Sequence, residues 1–252
     1  MTVTAAAEPS VVEVTRVAGR LRSRLRSGLL RPQRLHGPED RCRVGLLATT
    51  ALLLGGDAVE LQIHVGPGAA LELTDVAGTV AYDGRGRPAS WDVRVRVAEG
   101  GRLWWSGEPF VVADGADVTR QLTLDLDESG RALLRETLVL GRAGQLGGRL
   151  RNRTSVRVAG QPALVEDSVL DPVGYRLLPG MLGGLRVVDT VLALGLPWVP
   201  PPAGRSGEGG TTTSRLPGGA GELTRYLGQE LASSPLHIPW ALSRAAVGET
   251  GS

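Results

Sequence analysis

The sequence predicts an all-β fold: an elongated, β-helix-like stack of strands that ends in a short helical portion. Three observations predict it. Apolar and polar residues alternate in VELQIHV, WDVRVRV and RQLTLDL, the period of a strand with one buried face. Each of these runs ends in a turn (GPGA, AEGG or DESG) and continues into a second apolar run. The unit recurs: Val65, Val97, Leu126 and Val158 close successive first strands at separations of 32, 29 and 32 residues. A period near 30 residues implies supersecondary units that each cover a neighbour's apolar face.

Laid over one another at the turns, the units align Leu61, Ile63 and Val65 with Val93, Val95 and Val97 and with Leu122, Leu124 and Leu126. The residues between them, including His64, point to the other face. A weaker fourth copy, TSVRVAGQPALVED, runs from Thr154 to Asp167. Upstream, GRLRSRLRS places Arg20, Arg22, Arg24 and Arg26 at period two, with Leu21 and Leu25 opposite. That pattern reads as the solvated face of an N-terminal strand or as a basic docking surface for an acidic protein. Without interleaved aromatics it argues against nucleic acid.

After Asp171 the pattern changes. RVVDTVLAL is short and apolar, a buried strand. Residues 200–221, rich in Pro, Gly, Ser and Thr, read as a flexible surface loop. GELTRYLGQELASS has Leu223, Tyr226, Leu227 and Leu231 at helical spacing, and HIPWALSRAAV reads as a terminal helix or tail docked by Trp240 and Leu242. The chain is thus divided into a β-stack at 1–199, a loop at 200–221 and a helical segment at 222–252 that packs on the stack.

Composition narrows function. The 252 residues hold 36 Gly and 16 Pro, turn-rich but short of a disordered composition. All 28 basic residues are Arg, and the net charge is only +2. Cys42 is alone, so no disulfide framework or cysteine-rich metal site is expected. MTVTAAAEPS lacks the charged and apolar regions of a signal peptide, and no apolar run approaches the ~20 residues of a membrane span. A cytoplasmic protein with no membrane partner is expected.

Chemistry is sparse. His36, His64 and His237 are far apart in sequence, and no nucleophile elbow, phosphate loop or dinucleotide fingerprint is present. Carboxylates recur near the second strands at Asp57, Glu72, Asp75, Glu108, Glu136, Glu166 and Asp167. They read as solvated acids, as a converging pair in a β-solenoid acting on carbohydrate, or as spaced oxygens along a path for a small cation.

Several segments together resemble one family. LLATTALLLGGDAVELQIHVGPGAALELT carries a Gly-Gly-Asp before an alternating strand and a Gly-Ala turn. LTDVAGTVAYDG contributes Thr74, Thr79 and Tyr82, while RLWWSGEPFVVADGADV, RALLRETLVLGR, QPALVEDSVL, TRYLGQEL and PWALSR follow in order. This order and spacing resembles the UreD (UreH) family of urease accessory proteins. Where the family carries a second Thr, this chain has Asp75, and the family's Gln and Lys are Val76 and Val80.

The resemblance implies a non-enzymatic, all-β scaffold for urease maturation. It implies binding to urease apoprotein and to UreF, which recruits the GTPase UreG, and it implies nickel in transit through an internal passage with no intrinsic cofactor. Candidate partner-binding or passage residues are then Asp57, Thr74, Tyr82, Glu136, Arg142 and Glu166. Asp57, Glu166 and His64 are the candidates for transient contact with the metal. Hard oxygen donors suit transit, since Ni²⁺ is held firmly by nitrogen and sulfur. Trp104–Trp105 is expected to form an exposed apolar patch that a partner covers.

Overall fold

The computed structural model describes residues 8–172, 174, 178, 182–206 and 209–246. Strand makes up 56% of it and helix 6%, in a β-solenoid-like stack with one short C-terminal helix.

The chain opens with β1 (Ser10–Val17), β2 (Arg20–Arg26), β3 (Leu30–Leu35) and β4 (Cys42–Ala48). One coil is β5 (Ala58–Val65), β6 (Ala70–Asp75) and β7 (Thr79–Ala81). The next is β8 (Ala89–Val97), β9 (Arg102–Ser106) and β10 (Phe110–Val112). β11 (Asp117–Leu126) and the longer β12 (Arg131–Leu140) make a third. β12 does in one strand what its predecessors do in two, pairing with β9 through residues 131–135 and with β10 through 138–140. A hairpin of β13 (Arg149–Val158) and β14 (Gln161–Leu170) follows. After it come β15 (Val187–Leu194), β16 (Gly204–Ser206), β17 (Gly209–Arg215), β18 (Glu222–Gly228) and the helix α1 (His237–Ala246).

First strands gather in one sheet, ordered β14-β13-β11-β8-β5-β1-β2. Second strands gather in the other, along the path β16-β17-β18-β15-β12-β9-β6-β4-β3. We call these the first and second sheets. The repeat register is the one read from the sequence. Leu61, Val93 and Leu122 share a rung, as do Ile63, Val95 and Leu124, and then Val65, Val97 and Leu126, with Val158 beside Leu126. The turns stack as well: the Gly68 amide donates to the Glu99 carbonyl of the next coil at 2.9 Å. Gly68 and Gly100 sit at φ +60° and +62°, where a side chain is disfavoured. The centre of each sheet is parallel and its ends are antiparallel, so the hairpins β1–β2 and β13–β14 frame the coils.

Two apolar clusters hold the stack. The larger lies between the sheets and includes Val93, Val95, Leu124, Leu103 and Leu134. The smaller lies on the outer face of the second sheet, where Trp104, Leu133, Val191 and Tyr226 pack under Leu236 and Trp240 of the C-terminal segment. Full burial of such a side chain contributes about 1.5–3 kcal/mol.

Four local expectations are corrected. Glu222–Gly228 is strand β18, not helix. Its Leu223 and Leu227 join the inner cluster while Tyr226 joins the outer one, so a strand buried on both faces mimics helical spacing. The expected loop at 200–221 contains β16 and β17; its β-branched Thr211–Thr212–Thr213 adds to the edge of β18, and Thr213 and Thr224 hydroxyls meet at 3.0 Å. Trp104 and Trp105 are both buried, one on each face of β9, with the Arg41 and Arg102 guanidiniums over the Trp104 ring. Trp240 is buried as expected, but Leu242 is exposed. Residues 1–7, 207–208 and 247–252, parts of the segments read above, lie outside the described residues. Among the described residues, no helix is long and apolar enough to cross a membrane.

Candidate functional site

A cavity of about 560 Å³ lies between the two sheets, toward the β14 end of the stack. Its walls are leucine-rich, from Leu122, Leu164, Leu134 and Leu138 among others. Across them runs a polar lane on each sheet. On the first sheet, Trp91, Arg120, Asn152 and Ser168 are cross-strand neighbours on β8, β11, β13 and β14. On the second, Glu136, Thr190, Arg225 and Thr212 are neighbours on β12, β15, β18 and β17. All eight face the cavity. Register therefore turns one polar position per strand into a continuous line along the stack.

Two ion pairs bridge the lanes. Arg120, only 8% exposed, pairs with Glu136 and also donates from its Nη1 to Asn152 Oδ1 at 3.2 Å. Glu166 on β14 accepts both terminal nitrogens of Arg225 on β18, at 3.0 and 2.8 Å, and Arg225 Nε donates to Thr190 Oγ1 at 3.3 Å. The Arg120 guanidinium also lies over the Phe110 ring, which meets Trp91 edge-on. The Arg120 Nε–H and the Trp91 indole N–H are buried without an acceptor among the described residues.

Asp75 closes one end of this arrangement. Its Oδ1 accepts the Trp105 indole N–H at 3.2 Å and its Oδ2 the Glu108 amide N–H at 3.3 Å. Burial pushes its carboxyl up to about 6, against the pull of those two hydrogen bonds and of the Arg120 charge. Asp75, Thr79 and Trp91 also line a second cavity of about 150 Å³, which Tyr82 borders. Asp75 thus stands at the partition between the two spaces.

The structure brings Glu136 and Glu166 together in the cavity, whose lining also includes Asp75, Glu108 and Asp167, and places Asp57, His64, Thr74, Tyr82 and Arg142 off its wall. Asp57 sits in the turn before β5, where its Oδ2 accepts the Leu54 amide at 3.0 Å. That is a turn-forming role, and Asp57 is not on the cavity wall. His64 is exposed on the outer face of β5. Thr74 alternates with the inward Leu73 and Asp75 on β6, so it faces outward. Tyr82 is 39% exposed beside the smaller cavity. Arg142 is exposed in the turn after β12, its amide donating to Gln145 Oε1 at 3.1 Å. The Asp167 carboxylate takes Arg151 and Arg153 on the exposed side and is held at about 2, chiefly by the Arg151 hydrogen bond. The β2 arginines are exposed, as the alternation predicts, with Leu21 and Leu25 packed inward.

Arg120, Asn152 and Arg225 were not singled out from the sequence. A signal for the first two exists: extending each buried triplet back by two residues gives Val59, Trp91, Arg120 and Asn152, so an arginine falls on a face that should be core. Among the described residues no group of three or more His, Cys, Asp or Glu side chains is placed to hold a metal ion.

The fold and the cavity define a structural class, a β-solenoid-like stack with polar lanes facing a space between its two sheets. The comparisons make that class particular: the chain belongs to the UreD urease accessory protein family, which matches residues 10–248. It is 48% identical over 191 residues to the urease accessory protein UreD 1 of Streptomyces griseus, covering 75% of each chain. It is 34% identical over 201 residues to UreD of Streptomyces coelicolor, covering 78% of this chain and 79% of that one. With UreD of Delftia acidovorans it shares 31% identity over 259 residues, 88% and 83% of the two chains.

Proposed function

We propose that this protein is a cytoplasmic, non-enzymatic scaffold that binds urease apoprotein, recruits the GTPase UreG through UreF, and gives nickel a passage through the cavity between its sheets. The observation that carries the reading is the pair of polar lanes crossing an otherwise apolar interior. Buried polar groups cost free energy unless they are satisfied or used, and here they recur at one register position on successive strands. Glu136 on the line, with Glu166 and Asp75 on the cavity wall, supplies single oxygen-donor positions. Oxygen donors release Ni²⁺ more readily than histidine or thiolate would.

A carbohydrate-active β-solenoid would need two carboxylates facing one another about a glycosidic bond. Glu136 and Glu166 each face a guanidinium instead, which favours the scaffold. The test is co-production with urease in cells lacking their own copy of this protein. Glu166→Ala should lower the nickel content of purified urease several-fold while the chain still co-purifies with urease. Asp57→Ala, outside the cavity, should load urease normally if it folds. Normal loading by both Glu136→Ala and Glu166→Ala would overturn the passage; failure of the unsubstituted chain to restore urease would overturn the scaffold.

A further inference from the structure

Two of the carboxylates that line the cavity are not free. Glu136 is engaged by Arg120 and Glu166 by Arg225, and each pair reaches from one sheet to the other across the cavity. A path for a cation would be expected to keep its carboxylates open. Here each has a positive charge already beside it, which offsets much of its attraction for another cation.

We propose that the two cross-sheet pairs are doors: a divalent cation advances by taking a carboxylate from its arginine, and the displaced guanidinium then drives it onward. The proposal deepens the passage reading and rests on it. Its physical sense lies in release. A carboxylate beside an idle guanidinium binds a cation against like-charge repulsion, so every stop on the lane is weak. This accords with the lack, among the described residues, of any cluster of three potential ligands.

The two doors differ in how they are fastened. Arg225 commits its Nε to Thr190 and both terminal nitrogens to Glu166, a fork-to-fork pair with three donors engaged. Arg120 serves both Asn152 and Glu136 from Nη1, and its Nε–H has no acceptor. Asp75 lines the same cavity, and its negative charge also acts on this guanidinium, so Arg120 has a second carboxylate toward which to move. The Arg120 door is the looser one, beside the partition with the smaller cavity. The Arg225 door is the tighter one, at the β14–β18 end.

The experiment is equilibrium dialysis of nickel chloride against the purified full chain, paired with urease loading in cells. The unsubstituted chain should bind nickel weakly. Arg225→Gln frees Glu166 and should tighten binding at least tenfold, and Arg225→Gln/Glu166→Gln should return it to the unsubstituted level. In cells Arg225→Gln should hold more nickel yet load urease several-fold less, because a stop has become a trap. Arg120→Gln, freeing Glu136, is the independent second variant should Arg225→Gln fail to fold. Unchanged affinity in a folded variant overturns the doors, as does tighter binding with normal urease loading. A chain that cannot restore urease at all overturns the scaffold reading instead, whatever the dialysis gives.

Discussion

The Glu166 carboxylate meets the Arg225 guanidinium fork to fork, 59 residues apart in sequence and from opposite sheets, with both N···O distances at 3.0 Å or less. β14 is the edge strand of the first sheet, so this pair ties its inner face to β18 of the second. The side chains are 32% and 29% exposed, between a surface pair and a buried one.

That setting bounds the energetics. Glu166→Ala and Arg225→Ala should each lower stability by about 1–2 kcal/mol, above the worth of an exposed pair and below the cost of stranding a fully buried charge. A double-mutant cycle by urea denaturation should give a coupling energy of about 1 kcal/mol or more. Additive effects would mean that the two ends of the sheets are held by packing alone.

Asp75 makes stability depend on pH with the opposite sign to an ordinary ion-paired carboxylate. Its folded value of about 6 lies above the usual 3.8, so the folded state binds the extra proton. Stability attributable to this group is present below about pH 4 and is lost as pH rises through 6. Two units correspond to about 3 kcal/mol at most, and Trp105 and Glu108 retain acceptors in an amide oxygen only in part. Asp75→Asn should therefore be near neutral at about pH 4 and stabilising by about 2 kcal/mol at about pH 7.5, read from urea midpoints at both values. A gain independent of pH would show that the carboxyl is hydrated rather than buried.

The fold was legible because period-two alternation and the 30-residue repeat are local signals that the register then obeys: Leu61, Val93 and Leu122 occupy one rung. Glu136 and Glu166 were legible as acids, but their arginines were not, since Arg225 reaches Glu166 only through the pairing of β18 with β15 and the folding of one sheet over the other. Asp57 was legible as an acid in a Gly-Gly-Asp turn, but not that the turn sets its carboxylate on the Leu54 amide, away from the cavity wall. The C-terminal strand misled for a related reason: covering by the segment around Trp240 gave β18 two buried faces, and its alternation vanished.

Asp189 is the most deeply buried acid of the second sheet, at 0% exposure within an apolar run. Arg135 donates to both its oxygens, at 3.1 and 2.8 Å, and Thr137 and Ser234 hydroxyls complete its shell. Ser234 precedes α1, so this carboxylate helps fasten the C-terminal segment to the outer face. Asp189→Ala leaves the Arg135 guanidinium, itself mostly buried, without its partner, and should cost about 3–5 kcal/mol in urea denaturation. A loss below about 1 kcal/mol would mean that water reaches Arg135 in the folded protein.

The last contrast is within one helix. Trp240 is 5% exposed and packs in the outer cluster with Trp104, Leu133 and Leu236, whereas Leu242, two residues on, is 65% exposed. A ten-residue helix is too short to hold itself in water, so α1 owes its order to docking through Trp240. Trp240→Ala should remove about 3–5 kcal/mol of packing, releasing the helix to proteases ahead of global unfolding. Leu242→Ala should change stability by less than about 0.5 kcal/mol. Limited trypsin digestion decides it: Arg244 lies in this helix, and early cleavage there in Trp240→Ala alone confirms the docking. Equal cleavage in both variants and in the unsubstituted chain would show that α1 is undocked much of the time and that Trp104 is covered by Leu236 and Trp198 instead.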